Sequence, residues 1–357
     1  MSPRVAIVAG QWGQNVGNAF FNLGGRHLLG QVFGPAEVGF FQDQPNYRTL
    51  HDKRRGNPAN HAELVADLDI DWLVLQGPVL NAWMAASWES AFRRLAARGV
   101  RVMLHSAAFF KFTPREIAAV RAFLEAYPPA LIVTRDPRSH AILRDRVPGV
   151  PSHDGIDAGF LLPEVARPFA LAPGTAPHMA FTFDRYPEPA ISDRPFDPAR
   201  HTTRQVTLLG KPRHLGVPRR LDRLAHASKI RAYLGDLTDF RRLPATLDGH
   251  RILRPEHRFY PHVTHKIYRR PGALASDEPW SYATVYAGAR LTLSDRVHAC
   301  VAALAYGNPA MLFTPSPRAA LFERLGLDAI RRQPVSLPRE RLDAAVAAQI
   351  AWLRAHV

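Results

Sequence analysis

Cysteine is almost absent from this chain. Cys300 is the single one among 357 residues, so no disulfide forms within the chain and a reducing, cytosolic location is expected. Long apolar runs are also missing. Nothing approaches about 18 uninterrupted apolar residues, which argues against an ordinary membrane-spanning helix. The N-terminus shows no secretory pattern, because Arg4-Val5-Ala6-Ile7-Val8-Ala9 goes straight into a strand signal. GxGxxG and Walker loops are absent, as are zinc-finger spacing, aromatic RNA-binding motifs and long basic arms. No internal repeat or low-complexity tract interrupts the sequence.

An apolar fraction of 46% and a charged fraction of 22% describe a globular chain. Its length is large for one core, so two domains are expected. The formal net charge of +15 is spread out, apart from pairs such as Arg54-Arg55, Arg219-Arg220, Arg241-Arg242 and Arg269-Arg270. A crevice for small anions, or attraction to an anionic membrane, accounts for that dispersed charge at least as well as nucleic acid does.

Strand and helix signals alternate through the first half, which predicts a parallel sheet wrapped by helices. After the first strand comes Gly10-Gln11-Trp12-Gly13-Gln14-Asn15-Val16-Gly17-Asn18, then a helix through Leu29. Such loops are where these sheets bind ligands, and the Asn15 and Asn18 amides can both donate and accept. Residues 42–66 read as polar and turn-rich. Asp67, Asp69 and Asp71 resemble a DxD metal motif but precede their strand, on the wrong side for a ligand. His262-x-x-His265 has metal-ligand spacing, yet no third ligand accompanies it. No metal and no cofactor are expected.

Two strand–helix junctions carry more information. Leu131-Ile132-Val133-Thr134 is a strand; Arg135 follows, and Asp136-Pro137 opens a helix that contains Ser139 in its first turn. Arg135 thus stands at the carboxyl end of a parallel strand, where phosphates and carboxylates bind. The second junction is Ser294-Asp295-Arg296-Val297-His298-Ala299, after the strand Arg290-Leu291-Thr292-Leu293. Asp295 is expected to cap the helix. Val297, Cys300, Val301 and Leu304 form its apolar stripe, with Arg296 and His298 roughly 100° to either side of it. Both side chains can flank an anion held by the free N–H groups of the first turn. Gly307-Asn308-Pro309 ends that helix. Residues 151–177 read as a linker, a helix is expected near 218–234, and 338–356 as the last helix. The architecture expected is α/β: a domain at 1–165, a second at 175–335 holding the donor site, and a C-terminal helix at 338–357.

Asn15-x-Gly17-Asn18, Gly77-Pro78, Arg135-Asp136-x-x-Ser139, Gly155-x-Asp157, Asp295-Arg296-x-His298-Ala299 and Gly307-x-Pro309 occur in that order. With these pieces the chain resembles the polysaccharide pyruvyl transferase family. The resemblance implies two Rossmann-like domains facing a central crevice, as in GT-B glycosyltransferases. It also implies transfer of a pyruvyl group from phosphoenolpyruvate to a sugar, forming a ketal, with a glycan or lipid-linked sugar as acceptor. By that resemblance Arg296 and His298 sit at the phosphoenolpyruvate site, with Arg135 a further anion contact. Ser294, Asn15, Gly17 and Asn18 fall in substrate-binding motifs. Arg318 stands where family members commonly carry Lys, so charge is kept and geometry changes. A GT-B glycosyltransferase using a nucleotide sugar, or a non-catalytic binder of anions or nucleic acid, would share the architecture.

Overall fold

A computed structural model describes residues 2–44, 62–239, 241–258 and 267–357. The His262-x-x-His265 pair lies outside them. The chain divides into two compact units. Residues 1–166, 316–326 and 338–357 form the first, and residues 167–315 and 327–337 the second. The chain changes unit at 166/167, inside the expected linker, and the C-terminal helix belongs to the first unit.

The first unit is built on six parallel strands: β1 (Val5–Gly10), β2 (Val38–Gln44), β3 (Trp72–Gln76), β4 (Arg101–Ala107), β5 (Leu131–Thr134) and β6 (Ser152–Asp154). Their order is β2-β1-β3-β4-β5-β6. β3 and β5 are buried along their whole length, as strands covered on both faces must be. β2 corrects the reading of its end as turn. Only its Val-Gly-Phe-Phe start is strand-like, and pairing with β1 extends it into polar residues. The Gly17–Phe33 helix packs close because two glycines face the core. A Cβ on Gly24 would lie 1.9 Å from the Ala158 carbonyl oxygen, and one on Gly25 2.2 Å from Gln76 Nε2.

The Thr113 cap forms as expected: its Oγ1 accepts from Glu116 N–H at 3.3 Å, opening the Pro114–Ala126 helix. Asp67, Asp69 and Asp71 sit around the amino end of β3 and pair with arginines, Asp67 with Arg94 and the other two with Arg4. The Arg339–Arg354 helix buries Ile350 and Leu353 against Leu131 and Val133. Its Gln349 accepts from Ile156 N–H at 2.9 Å and reaches His105 Nε2 at 3.0 Å.

The second unit has β7 (His178–Thr182), β8 (Ala190–Ser192), β9 (His201–Leu208), β10 (Lys211–Pro218), β11 (Thr246–Leu247), β12 (His250–Pro255), β13 (Ala273–Leu274), β14 (Ala289–Ser294) and β15 (Ala310–Leu312). The main sheet runs β11-β12-β7-β14-β15, parallel except at β11, with β13 on β12. A separate antiparallel sheet, β8-β10-β9, follows the first strand. The helix expected near 218–234 is two helices, Arg219–Ala227 and Lys229–Leu237. Ser228 separates them in extended conformation and caps the second, its Oγ accepting from Arg231 N–H at 3.1 Å.

Candidate functional site

In the second unit β7 and β14 pair in parallel, with Thr182 opposite Ser294. β12 lies on the other side of β7, so the chain leaves β7 in both directions across the sheet. Ligands gather at the carboxyl ends of strands at such a switch point. Three loops meet there: Phe183 to Pro187 after β7, Glu256 and His257 after β12, and Asp295 and Arg296 after β14.

Asp295 does not cap the following helix. The Val297–Ala305 helix begins one residue later than expected, with Arg296 as N-cap and no side chain capping it. The buried Asp295 carboxylate turns to the neighbouring loop instead. It accepts from the backbone N–H of Asp184, Arg185 and Tyr186 at 3.2, 2.7 and 2.7 Å. Three donors in one loop offer more than the two free N–H groups a cap reaches. Burial, then the Asp184 carboxylate, push the Asp295 carboxyl up to about 6.

Held this way, the Asp184 side chain lies against Arg296, with Oδ2 3.1 Å from the guanidinium Nε. Asp184 is 1% exposed at its side chain and Arg296 14%. His298, in the first turn of the same helix, is half-buried. Ser294 is fully buried. Its hydroxyl donates toward the Thr182 carbonyl at 3.0 Å and accepts from Arg296 N–H at 2.8 Å. Ser294 therefore shapes the turn that presents Arg296.

Beneath Arg296 and His298 lies His257. Its Nε2 is 2.6 Å from the Tyr286 hydroxyl, which is 2.9 Å from Thr182 Oγ1. Burial, then the charges of Arg296 and His298, hold the His257 imidazole well below its ordinary range, so it is neutral at pH 7. Next to it, burial and Asp184 push the Glu256 carboxyl well above its usual range. Arg270 Nη1 contacts Glu256 Oε1 at 2.7 Å, and its Nη2 pairs with Asp236. A concavity opens beside Asp184, lined also by Tyr186, Asp236, Asp239, Arg241 and Arg270. Cys300 is buried, its thiol pushed up by burial away from thiolate chemistry.

The remaining candidates lie in the first unit. Arg135 follows β5 and precedes the Pro137–Arg146 helix, where Asp136 accepts from Ser139 N–H at 2.7 Å, both as expected. The Arg135 guanidinium is 2% exposed and ion-paired to Asp157 Oδ2 at 2.8 Å. Asn15 Nδ2 donates to Asn18 Oδ1 at 2.8 Å across the first turn that contains the buried Gly17. Arg318 donates from Nε to Ser316 Oγ at 3.3 Å, and its guanidinium stands 5.4 Å from the Phe110 ring centroid. Ser294, Arg296 and His298 come together in the second unit. Asp184, Glu256, His257 and Tyr286 join them although no sequence motif marks them, and Arg270 is marked only as half of the Arg269-Arg270 pair. Among the described residues no cluster of His, Cys, Asp and Glu could hold a metal ion.

Two α/β units, each on a largely parallel sheet, define a GT-B-like fold. Residues 15–317 match the family described as polysaccharide pyruvyl transferase, and the chain belongs to that family. Solved structures of the same fold include a candidate UDP-N-acetylglucosamine 2-epimerase from Listeria monocytogenes (TM-score 0.52, 10% identity, 99% of this chain and 90% of that one). Another is S. aureus MnaA with UDP (0.51, 8%, 99% and 89%). A further UDP-N-acetylglucosamine 2-epimerase gives 0.51 and 11% over 98% and 87%. Comparison with curated proteins gives no match.

Proposed function

We propose that this transferase moves a pyruvyl group from phosphoenolpyruvate to a sugar of a polysaccharide or lipid-linked precursor, and that Arg296 and His298 serve the donor. The observation that supports this most is the β14 junction. Arg296 is the N-cap of a helix that no side chain caps, and His298 lies in its first turn, inside the segment matched to the family. Phosphoenolpyruvate carries a phosphate and a carboxylate on a three-carbon frame, and convergent donors of this kind suit both.

In the proposed reaction the donor methylene takes a proton and becomes a methyl group. A sugar hydroxyl adds to the carbon bearing the phosphate and gives its proton to a base. Phosphate then leaves with its bridging oxygen, and a second hydroxyl closes the ketal. His298 is assigned the proton transfers, because a half-buried imidazole works near neutral pH. Arg296 neutralises the donor, and Asp184 orients Arg296. His257, held neutral, lies behind His298 without adding a second positive charge there.

His298→Ala should lower the turnover of phosphoenolpyruvate with a sugar acceptor by about 10²- to 10⁴-fold, with an unchanged melting temperature. Full activity in that variant would remove His298 from the mechanism. A thermal-shift titration tests the donor: stabilisation by phosphoenolpyruvate supports the reading, and stabilisation by a nucleoside diphosphate instead replaces it with glycosyl transfer. An acceptor on a lipid carrier would bring the protein to a membrane surface. Among the described residues no helix is long and apolar enough to cross one.

A further inference from the structure

The Arg219–Ala227 and Lys229–Leu237 helices have an outer surface that the site chemistry does not use. Their inner faces are accounted for: Ala225 and Ala232 are buried with Tyr186, and Leu224 packs over Gly235. Outward stand Arg219, Arg220 and Arg223 on the first helix, and Lys229 and Arg231 on the second, all exposed. Among the described residues no carboxylate pairs with Arg220, Arg223 or Arg231. On the second helix two aliphatic side chains also face solvent one helical turn apart, Ile230 at 71% and Leu234 at 50% exposure. Single exposed aliphatics are ordinary. A pair at i and i+4 on a helical hairpin that also exposes arginines suits a membrane interface. Arg270 pairs with Asp236 on the second helix, tying the adjoining loop to it, and that loop carries Tyr268 at 63% exposure and exposed Arg269. Tyrosine beside cations suits the headgroup layer.

We propose that this helical hairpin docks the second unit on an anionic phospholipid surface, with Ile230 and Leu234 entering the acyl boundary and Arg220, Arg223 and Arg231 meeting lipid phosphates. Nucleic acid would satisfy the arginines but not the aliphatic pair, so lipid is the occupant that the chemistry fits. The inner faces of the same helices wall the concavity beside Asp184. The purpose of docking rests on the reading of a lipid-linked acceptor; the docking itself does not.

The test is co-sedimentation of the whole chain with vesicles of phosphatidylcholine, with or without phosphatidylglycerol. Binding is expected only to the anionic vesicles and should weaken as salt rises. Arg220→Glu with Arg223→Glu should weaken it on the order of 25-fold or more, and Ile230→Ser with Leu234→Ser on the order of tenfold. Arg144→Glu, an exposed arginine of the first unit, should leave it unchanged. Melting temperatures establish that the variants fold; Arg220→Gln with Arg223→Gln replaces the charge reversal if that pair does not. Absence of binding, equal loss with Arg144→Glu, or indifference to the aliphatic pair overturns the proposal. So does stronger capture by a duplex oligonucleotide that ignores the aliphatic pair, or gel filtration showing that this pair holds two copies together. Vesicle binding is read without donor and the phosphoenolpyruvate thermal shift without lipid, so either reading can fail alone.

Discussion

Arg135 and Arg296 occupy equivalent places in their units, each after a core strand and before a helix, yet their surroundings differ. Arg135 is enclosed and its charge is met by Asp157, whose other oxygen accepts from Gly159 N–H at 2.8 Å. Removing one member of such a pair strands a buried charge. Arg135→Leu should therefore cost about 3–5 kcal/mol of unfolding free energy, while Arg135→Leu with Asp157→Leu should recover most of it. Urea denaturation of the two variants decides this. An equally destabilised double variant would mean that shape, not charge, is what the pair supplies. Arg296 keeps part of its surface open beside Asp184, which is why the donor role is assigned there. The sequence made Arg296 and His298 legible because strand end, turn and helix start are consecutive residues. Their partners could not be read so. Asp184 and His257 are 112 and 39 residues before Arg296 in the chain, and neither stands in a pattern that periodicity detects.

At the scale of elements, the β7 and β14 loops are joined by the Asp295 carboxylate. Asp295→Asn keeps the shape but leaves one acceptor oxygen for three N–H groups. A loss of about 1–3 kcal/mol is expected, together with a raised KM for phosphoenolpyruvate, because Asp184 would no longer be fixed against Arg296. Unchanged stability and kinetics would show that the loop holds itself. The first unit has a tighter constraint. Gly24→Ala would drive a methyl group into the Ala158 carbonyl, and should cost about 1–3 kcal/mol as the Gly17–Phe33 helix shifts away. Sequence periodicity saw that helix but not the reason for its glycines, which lies in residue 158. It also missed β10, whose Pro212, Gly216 and Pro218 read against a strand. β8 pairs only with His214 to Gly216, so both prolines fall beyond its reach and the strand survives.

Across the whole molecule, the alternation of strands and helices gave the α/β class, because parallel strands buried on both faces leave long apolar signals. The destination of the last helix was not readable, since an amphipathic helix does not name the surface it covers. That helix meets the first unit through a buried polar contact, Gln349 on His105, as well as through Ile350 and Leu353. His105 is fully buried, and burial depresses its imidazole to about 4. The unfolded chain takes up a proton near the ordinary value of 6.5, while the folded chain does so only near 4. Stability from this group is therefore full above about pH 6.5 and is lost as pH falls toward 4. Between pH 7 and 5 the loss is about 2 kcal/mol. Asp295 acts in the opposite sense: its raised carboxyl makes the fold less stable as pH climbs from about 4 to 6. The comparison must accordingly be between variants and not between raw slopes. His105→Gln, which can still hydrogen-bond Gln349, should flatten the dependence of unfolding free energy on pH by about 2 kcal/mol between pH 7 and 5. Parallel curves for the two proteins would mean that His105 is solvated before the unit unfolds, and that the C-terminal helix opens first.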